Sequence, residues 1–110
     1  MKVKELAQRL GCETAVAGDP DREITGGYCG DLLSWVMGRC AAGSAWITVM
    51  GNVNAVAVAV LAEASCMILA EGAALDAQAR QKAEENRVAV LTSSRGGYAL
   101  AVALSRALEG

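Results

Sequence analysis

Histidine and phenylalanine are both missing from this 110-residue chain, proline occurs once, at Pro20, and the aromatics are two Trp and two Tyr. Without histidine no Ser-His or Cys-His pair can form, and no G-x-S-x-G nucleophile elbow is present, so the common hydrolytic designs are excluded. Cys12, Cys29, Cys40 and Cys66 show no C-x-x-C spacing, so the usual zinc frameworks are missing and no metal or cofactor is expected. The four read as reduced, mostly buried thiols. Lysine is confined to Lys2, Lys4 and Lys82, with no Gly-Lys-Ser/Thr anywhere, which removes the phosphate loop of P-loop kinases. The run "GGYCG" at 26–30 has the wrong spacing for the dinucleotide fingerprint G-x-G-x-x-G.

A net charge of -2 and a pI near 5.0 argue against a nucleic-acid partner, whose footprint is usually a basic stripe. The arginines are spread along the chain, which leaves room for a local anion site. The longest apolar region, "AVAVAVLAEASCMILAEGAAL", is cut by Glu63 and Glu71 and never reaches the roughly 20 continuous apolar residues of a membrane span. The N-terminus, "MKVKELAQRLG", reads as a charged amphipathic helix without the apolar core of a signal peptide, so a cytoplasmic location is expected.

What remains is a 54% apolar chain whose core must be built from Ala, Val, Leu, Met and Ile. That suits close helix-on-sheet packing. Val3, Leu6, Ala7 and Leu10 at helical spacing, closed by Gly11, predict a helix over about residues 2–10. "CETAVAG" and "REIT" read as short extended pieces around a Gly-Asp-Pro-Asp turn. Asp31 is placed to cap a helix with the inner stripe Leu33, Val36, Met37 and Cys40. Trp35 lies off that stripe and is expected to be partly exposed, either as a dimer contact or as a cover for a sheet edge. "SAWITVM" is a strand by its β-branched content. Val56, Val58 and Val60 alternate with Ala as a strand would, but the length and a capping Asn54 favour a helix. "CMILAEG" and "VAVLTSS" are short buried strands, "DAQARQKAEENR" is an exposed helix capped by Asp76 with Ala79 and Ala83 on its quiet face, and "YALAVALSRAL" is a helix with Leu100, Leu104 and Leu108 along one side. From Ala45 onward the order β-α-β-α-β-α predicts a three-layer α/β domain with a mostly parallel central sheet and helices on both faces.

The stretch "DREITGGYCGDLLSWVM" carries the most information. Asp21, Arg22, Thr25, Gly26 and Gly27 occur in the order and spacing of the signature that names the DRTGG domain, and "AWITV", "NVNAVAVA" and "ILAEG" follow at that family's intervals. The chain resembles a DRTGG domain over about residues 2–108, which points to a freestanding copy. That resemblance implies a fold like the N-terminal domain of HPr kinase/phosphorylase and, more distantly, of Mur ligases. Members of the family also occur beside CBS domains in regulated pyrophosphatases and attached to some phosphotransacetylases, which implies an accessory role with dimer contacts and nucleotide sensing. It brings no catalytic residues to carry over, and the kinase half with its phosphate loop is missing from this sequence.

Two groups of residues are candidates for a ligand site. The first is Arg22, Thr25, Gly26, Gly27 and Tyr28: amides of this loop and the helix that follows could hold a phosphate, or the glycines could serve only close packing. Asn52 and Asn54 follow the end of a strand, where ligands bind in open α/β sheets, although turn and cap duties would also explain them. The second group is Thr92, Ser93, Ser94 and Arg95, which follow a buried strand and lead into a helix. The expected function is a non-catalytic regulatory or ligand-sensing homodimer for a nucleotide or phosphorylated metabolite. The alternative is a structural module that docks a partner enzyme or a second copy.

Overall fold

A computed structural model describes residues 1–110. Helix α1 (Val3–Leu10) buries Val3, Leu6, Ala7 and Leu10, and Gly11 ends it in the left-handed conformation at φ 66°. Strand β1 (Glu13–Val16) follows. The extended piece expected at 22–25 makes only one bridge, Glu23 to Lys2, and the regular strand β2 is Gly26–Cys29. The glycine pair therefore lies within a strand, because β2 must align with its neighbour from Gly26 onward despite the poor intrinsic strand preference of glycine.

Helix α2 (Leu33–Arg39) starts from Leu32 with no side-chain cap. Asp31, expected to cap it, turns instead to the end of β3 (Ser44–Thr48), where its Oδ1 accepts from Thr48 Oγ1 at 2.7 Å and from the Val49 amide at 3.0 Å. Val36 and Cys40 are buried, but Met37, predicted on the inner stripe, is 45% exposed because this seven-residue helix presents only a narrow face to the sheet. The Ala-Val alternation resolves as helix α3 (Val53–Leu61), and its cap is Asn52, whose Oδ1 accepts from the Ala55 amide at 2.9 Å; Asn54 sits exposed within the helix. Strand β4 (Cys66–Leu69) is buried throughout. Helix α4 (Ala77–Glu85) is capped by Asp76 through the Ala79 amide at 2.8 Å. Strand β5 (Ala89–Thr92) and helix α5 (Gly97–Glu109) complete the chain.

The strands form one sheet in the order β1-β5-β4-β3-β2. Strands β2 to β5 run parallel, and β1 joins β5 antiparallel with an irregularity between Thr14 and Val16. Side-chain alternation sends Ala45, Ile47, Cys66, Ile68, Ala89 and Leu91 to one face, under α1 and α5. Trp46, Met67, Leu69 and Val90 point to the other, under α2, α3 and α4. This is the three-layer arrangement expected from the sequence. Ala55, Ala59, Ala79 and Ala83 are almost fully buried, so the helices on that face approach through small side chains. The fully buried Trp46 satisfies its indole by donating from Nε1 to the Gly30 carbonyl at 2.8 Å. Of the thiols expected to be mostly buried, Cys40 and Cys66 are, Cys12 is half-buried and Cys29 is exposed on the edge strand. No helix is long and apolar enough to cross a membrane.

Candidate functional site

In a parallel sheet the strands' carboxyl ends lie along one edge, and the loops leaving that edge are free to form a site. Here the loops after β4 and β5 are joined by main-chain hydrogen bonds. The Ser93 amide donates to Leu69, Gly72 donates to Ser93, and Glu71 donates to Arg95, each at 2.9 Å. Glu71 and Gly72 both adopt positive φ, 61° and 71°, which turns the chain sharply back beside β5. The start of β1 forms the facing wall, because its antiparallel pairing sets Glu13 opposite Thr92 at the same edge. Between these walls lies a concavity of about 710 Å³.

Thr92 at the end of β5 and Ser93, Ser94 and Arg95 in the loop after it line the concavity, and Arg80 enters from the start of α4. Arg80 Nη1 donates to the Ala15 carbonyl at 2.6 Å, and Arg95 Nη1 donates to the Leu10 carbonyl at 3.3 Å. Neither guanidinium is ion-paired: the chain's salt bridges join the Met1 ammonium to Glu23, and Lys2 and Lys4 to Asp21. Each guanidinium has five N–H donors, so most remain available to a ligand. Two guanidiniums without an ion-pair partner thus line one concavity, together with the carboxylate of Glu13. Arg95 also acts on the Cys12 thiol, which burial pushes up and the nearby positive charge pulls partly back.

The structure gathers the second group of candidates and leaves the first elsewhere. Arg22 and Thr25 lie at the opposite, amino-terminal edge of the parallel strands. Arg22 Nη2 donates to the Glu63 carbonyl at 2.9 Å, in the turn before β4. The Thr25 amide donates to Gly43, in the turn before β3, at 2.9 Å. Gly26 and Gly27 belong to β2, and a Cβ built on Gly27 would come within 2.6 Å of Leu104 Cδ2, so α5 rests directly on its backbone. Tyr28, half-buried, packs on the opposite face of the sheet. Asn52 caps α3, while its neighbour Gly51 abuts the Ala74 carbonyl from behind the wall of the concavity. Trp35 is 52% exposed, with the Arg39 guanidinium 3.9 Å from its ring centroid. A second, smaller groove of about 380 Å³ runs between β2 and α5, lined by Gly27, Cys29, Ala101 and Leu108 among others.

Sequence reasoning missed Arg80 and Glu13. Arg80 lies four residues after the capping Asp76, at the start of a helix that follows a buried strand, and that placement is a readable signal for this edge of a sheet. Glu13 carried none, since its position depends on how β1 pairs.

The sequence pattern of the DRTGG domain matches residues 5–107. The chain belongs to the DRTGG family. The DRTGG fold is also seen in the crystal structure of the CBS and DRTGG domains of the regulatory region of Clostridium perfringens pyrophosphatase, complexed with its activator diadenosine tetraphosphate. The two are 12% identical and superpose with a TM-score of 0.74 over 94% of this chain and 45% of that one, so this chain spans less than half of its neighbour's length. At that identity the likeness is one of fold. No curated protein matches the sequence. In this DRTGG domain the signature residues act as a staple. Asp21 accepts from Lys4 at 2.9 Å, Arg22 and Thr25 tie down the turns before β4 and β3, and Gly27 admits α5.

Proposed function

We propose that this DRTGG domain is a non-catalytic, cytoplasmic regulatory module that senses a nucleotide or another phosphorylated metabolite in the concavity at the carboxyl edge of its sheet, and acts as a homodimer. The observation that carries this reading is the pair of unpaired guanidiniums, Arg80 and Arg95, set beside the hydroxyls of Thr92, Ser93 and Ser94. Arg–phosphate bonds are charge-assisted and often bidentate, and hydroxyls complete the shell. Of the candidate residues, Thr92, Ser93, Ser94 and Arg95 touch the ligand in this reading. Arg22, Thr25, Gly26, Gly27, Tyr28, Asn52 and Asn54 serve the fold. The neighbouring pyrophosphatase region, complexed with a nucleotide activator, supports a regulatory role. Glu13 is the one carboxylate lining the concavity.

A thermal-shift panel of mono- and dinucleotides and sugar phosphates, with and without magnesium, tests this reading. A ligand at a hundredfold excess over its Kd stabilises the folded state by about 2.7 kcal/mol, a rise on the order of 10 °C for a chain of this size. The shift is expected to vanish in Arg80→Ala/Arg95→Ala. A flat panel, or a shift unchanged in the double variant, sinks the proposal.

A specific observation also favours docking without a small molecule. Strand β2 is an unpaired sheet edge with no charge, proline or bulge to protect it, whereas β1 at the other edge is irregular and has Arg80 on one of its carbonyls. This reading has a second copy or a partner enzyme covering β2, the groove beside it or Trp35. Light scattering on the wild type, Cys29→Lys and Trp35→Ala checks the homodimer. A dimer lost in either variant is the expected result, and a wild-type monomer at micromolar concentration rejects it.

A further inference from the structure

Resting on the reading of the concavity as an anion site, its lining also discriminates between ligand classes. We infer that it takes a phosphorylated sugar or sugar acid bearing two anionic groups, in preference to a nucleotide. Three features of the lining lead there.

No aromatic ring reaches the concavity. Trp46 is sealed beneath the helices of the opposite layer, and Trp35 lies on α2. Tyr28 belongs to β2, three strands away from β5, which at the usual strand spacing is roughly 14 Å. Tyr98, in the first turn of α5, is 86% exposed and forms no part of the wall. The apolar lining is Ala15, Ala73, Ala74 and Leu75, too small and scattered to sandwich a base. A nucleobase would forgo the stacking that is worth roughly one to two orders of magnitude in affinity.

The two guanidiniums are anchored separately. Arg80 is held on the Ala15 carbonyl and Arg95 on the Leu10 carbonyl, five residues apart along a segment that leaves a helix and becomes extended. Two anchors at different points of one wall suit two anionic groups better than a single phosphate.

Glu13 stands between those anchor positions along the chain and lines the same concavity. An ionised carboxylate only accepts hydrogen bonds, so it opposes a bare anion and favours a ligand that also donates hydroxyls. The hydroxyls of Thr14, Thr92 and Ser93 can both donate and accept, which suits a polyhydroxylated carbon chain.

Isothermal titration of the wild-type chain, Arg95→Ala and Glu13→Gln with a hexose bisphosphate, a hexose monophosphate, inorganic pyrophosphate, ADP and ATP tests the inference. The bisphosphate should bind at least about tenfold more tightly than the monophosphate or either nucleotide. Arg95→Ala should reduce it to the level of the monophosphate, and Glu13→Gln should weaken the sugar phosphates while leaving or improving pyrophosphate binding. If ADP or ATP binds more tightly than the bisphosphate, or Glu13→Gln leaves sugar phosphate binding unchanged, the inference fails while the anion site stands. If no probe binds at millimolar concentration, the inference and the proposed function fall together.

Discussion

Gly26 and Gly27 are neighbours in sequence with unlike surroundings. A Cβ at Gly26 meets only Ser44 Oγ, at 3.8 Å, whereas one at Gly27 meets Leu104 Cδ2 at 2.6 Å. Leu104 is only 4% exposed and has little room to yield. Gly26→Ala should therefore be neutral or stabilising by up to about 1 kcal/mol, through the reduced freedom of the unfolded chain. Gly27→Ala should cost about 1–3 kcal/mol by overpacking. Urea midpoints at constant m-value measure both. Equal effects at the two positions would refute the packing role given to the second glycine. The sequence shows the pair but not the helix that lies over one of them, because Leu104 follows Gly27 at a distance no local pattern spans.

Among the elements, α3 and α4 show how far local signals reach. Asp76 was legible as a cap because it stands alone before a polar helix. Before α3 two asparagines compete, and the helix begins two positions earlier than a cap at Asn54 implies, which hands the cap to Asn52. Asn52→Ala and Asp76→Ala should each destabilise the protein by about 1 kcal/mol, the usual cost of losing an N-cap. Asn54→Ala should be neutral or mildly stabilising, since alanine is the better helix former. Chemical denaturation of the three variants decides it, and a loss at Asn54 equal to that at Asn52 would overturn the assignment. At α2 the local signal misleads, because Asp31 finds a buried hydroxyl and an amide at the end of β3 and leaves the helix uncapped.

The whole molecule is best probed at its centre. Cys66 is fully buried, and that burial pushes its thiol from the ordinary 9.0 up to about 12, with Cys12 adding to the shift and Arg22 opposing it. A folded pKa raised above the unfolded value contributes stability below pH 9 and loses it as pH rises toward 12. The protein should therefore become less stable through that alkaline window. At pH 8, thiol labelling read by mass spectrometry should modify the exposed Cys29 first and Cys66 only on global unfolding. Labelling of Cys66 in the native state would contradict the buried position of β4.

Short-range chemistry is written along the chain: helix periodicity, strand hydrophobicity, the Asp76 cap and the β-α alternation all depend on residues a few positions apart. From these the three-layer parallel architecture could be read, and the signature residues pointed to the family. The concavity depends on partners far apart in sequence. Arg80 meets the Ala15 carbonyl 65 positions away and Arg95 meets Leu10 at a separation of 85, contacts that exist only once β1 has paired antiparallel with β5. The same long-range packing turned "GGYC" from a candidate phosphate loop into an edge strand and put the arginine-lined concavity at the opposite end of the sheet. Hydrophobic spacing specifies which face of an element is buried, but which elements become neighbours follows from how all of those faces are covered at once.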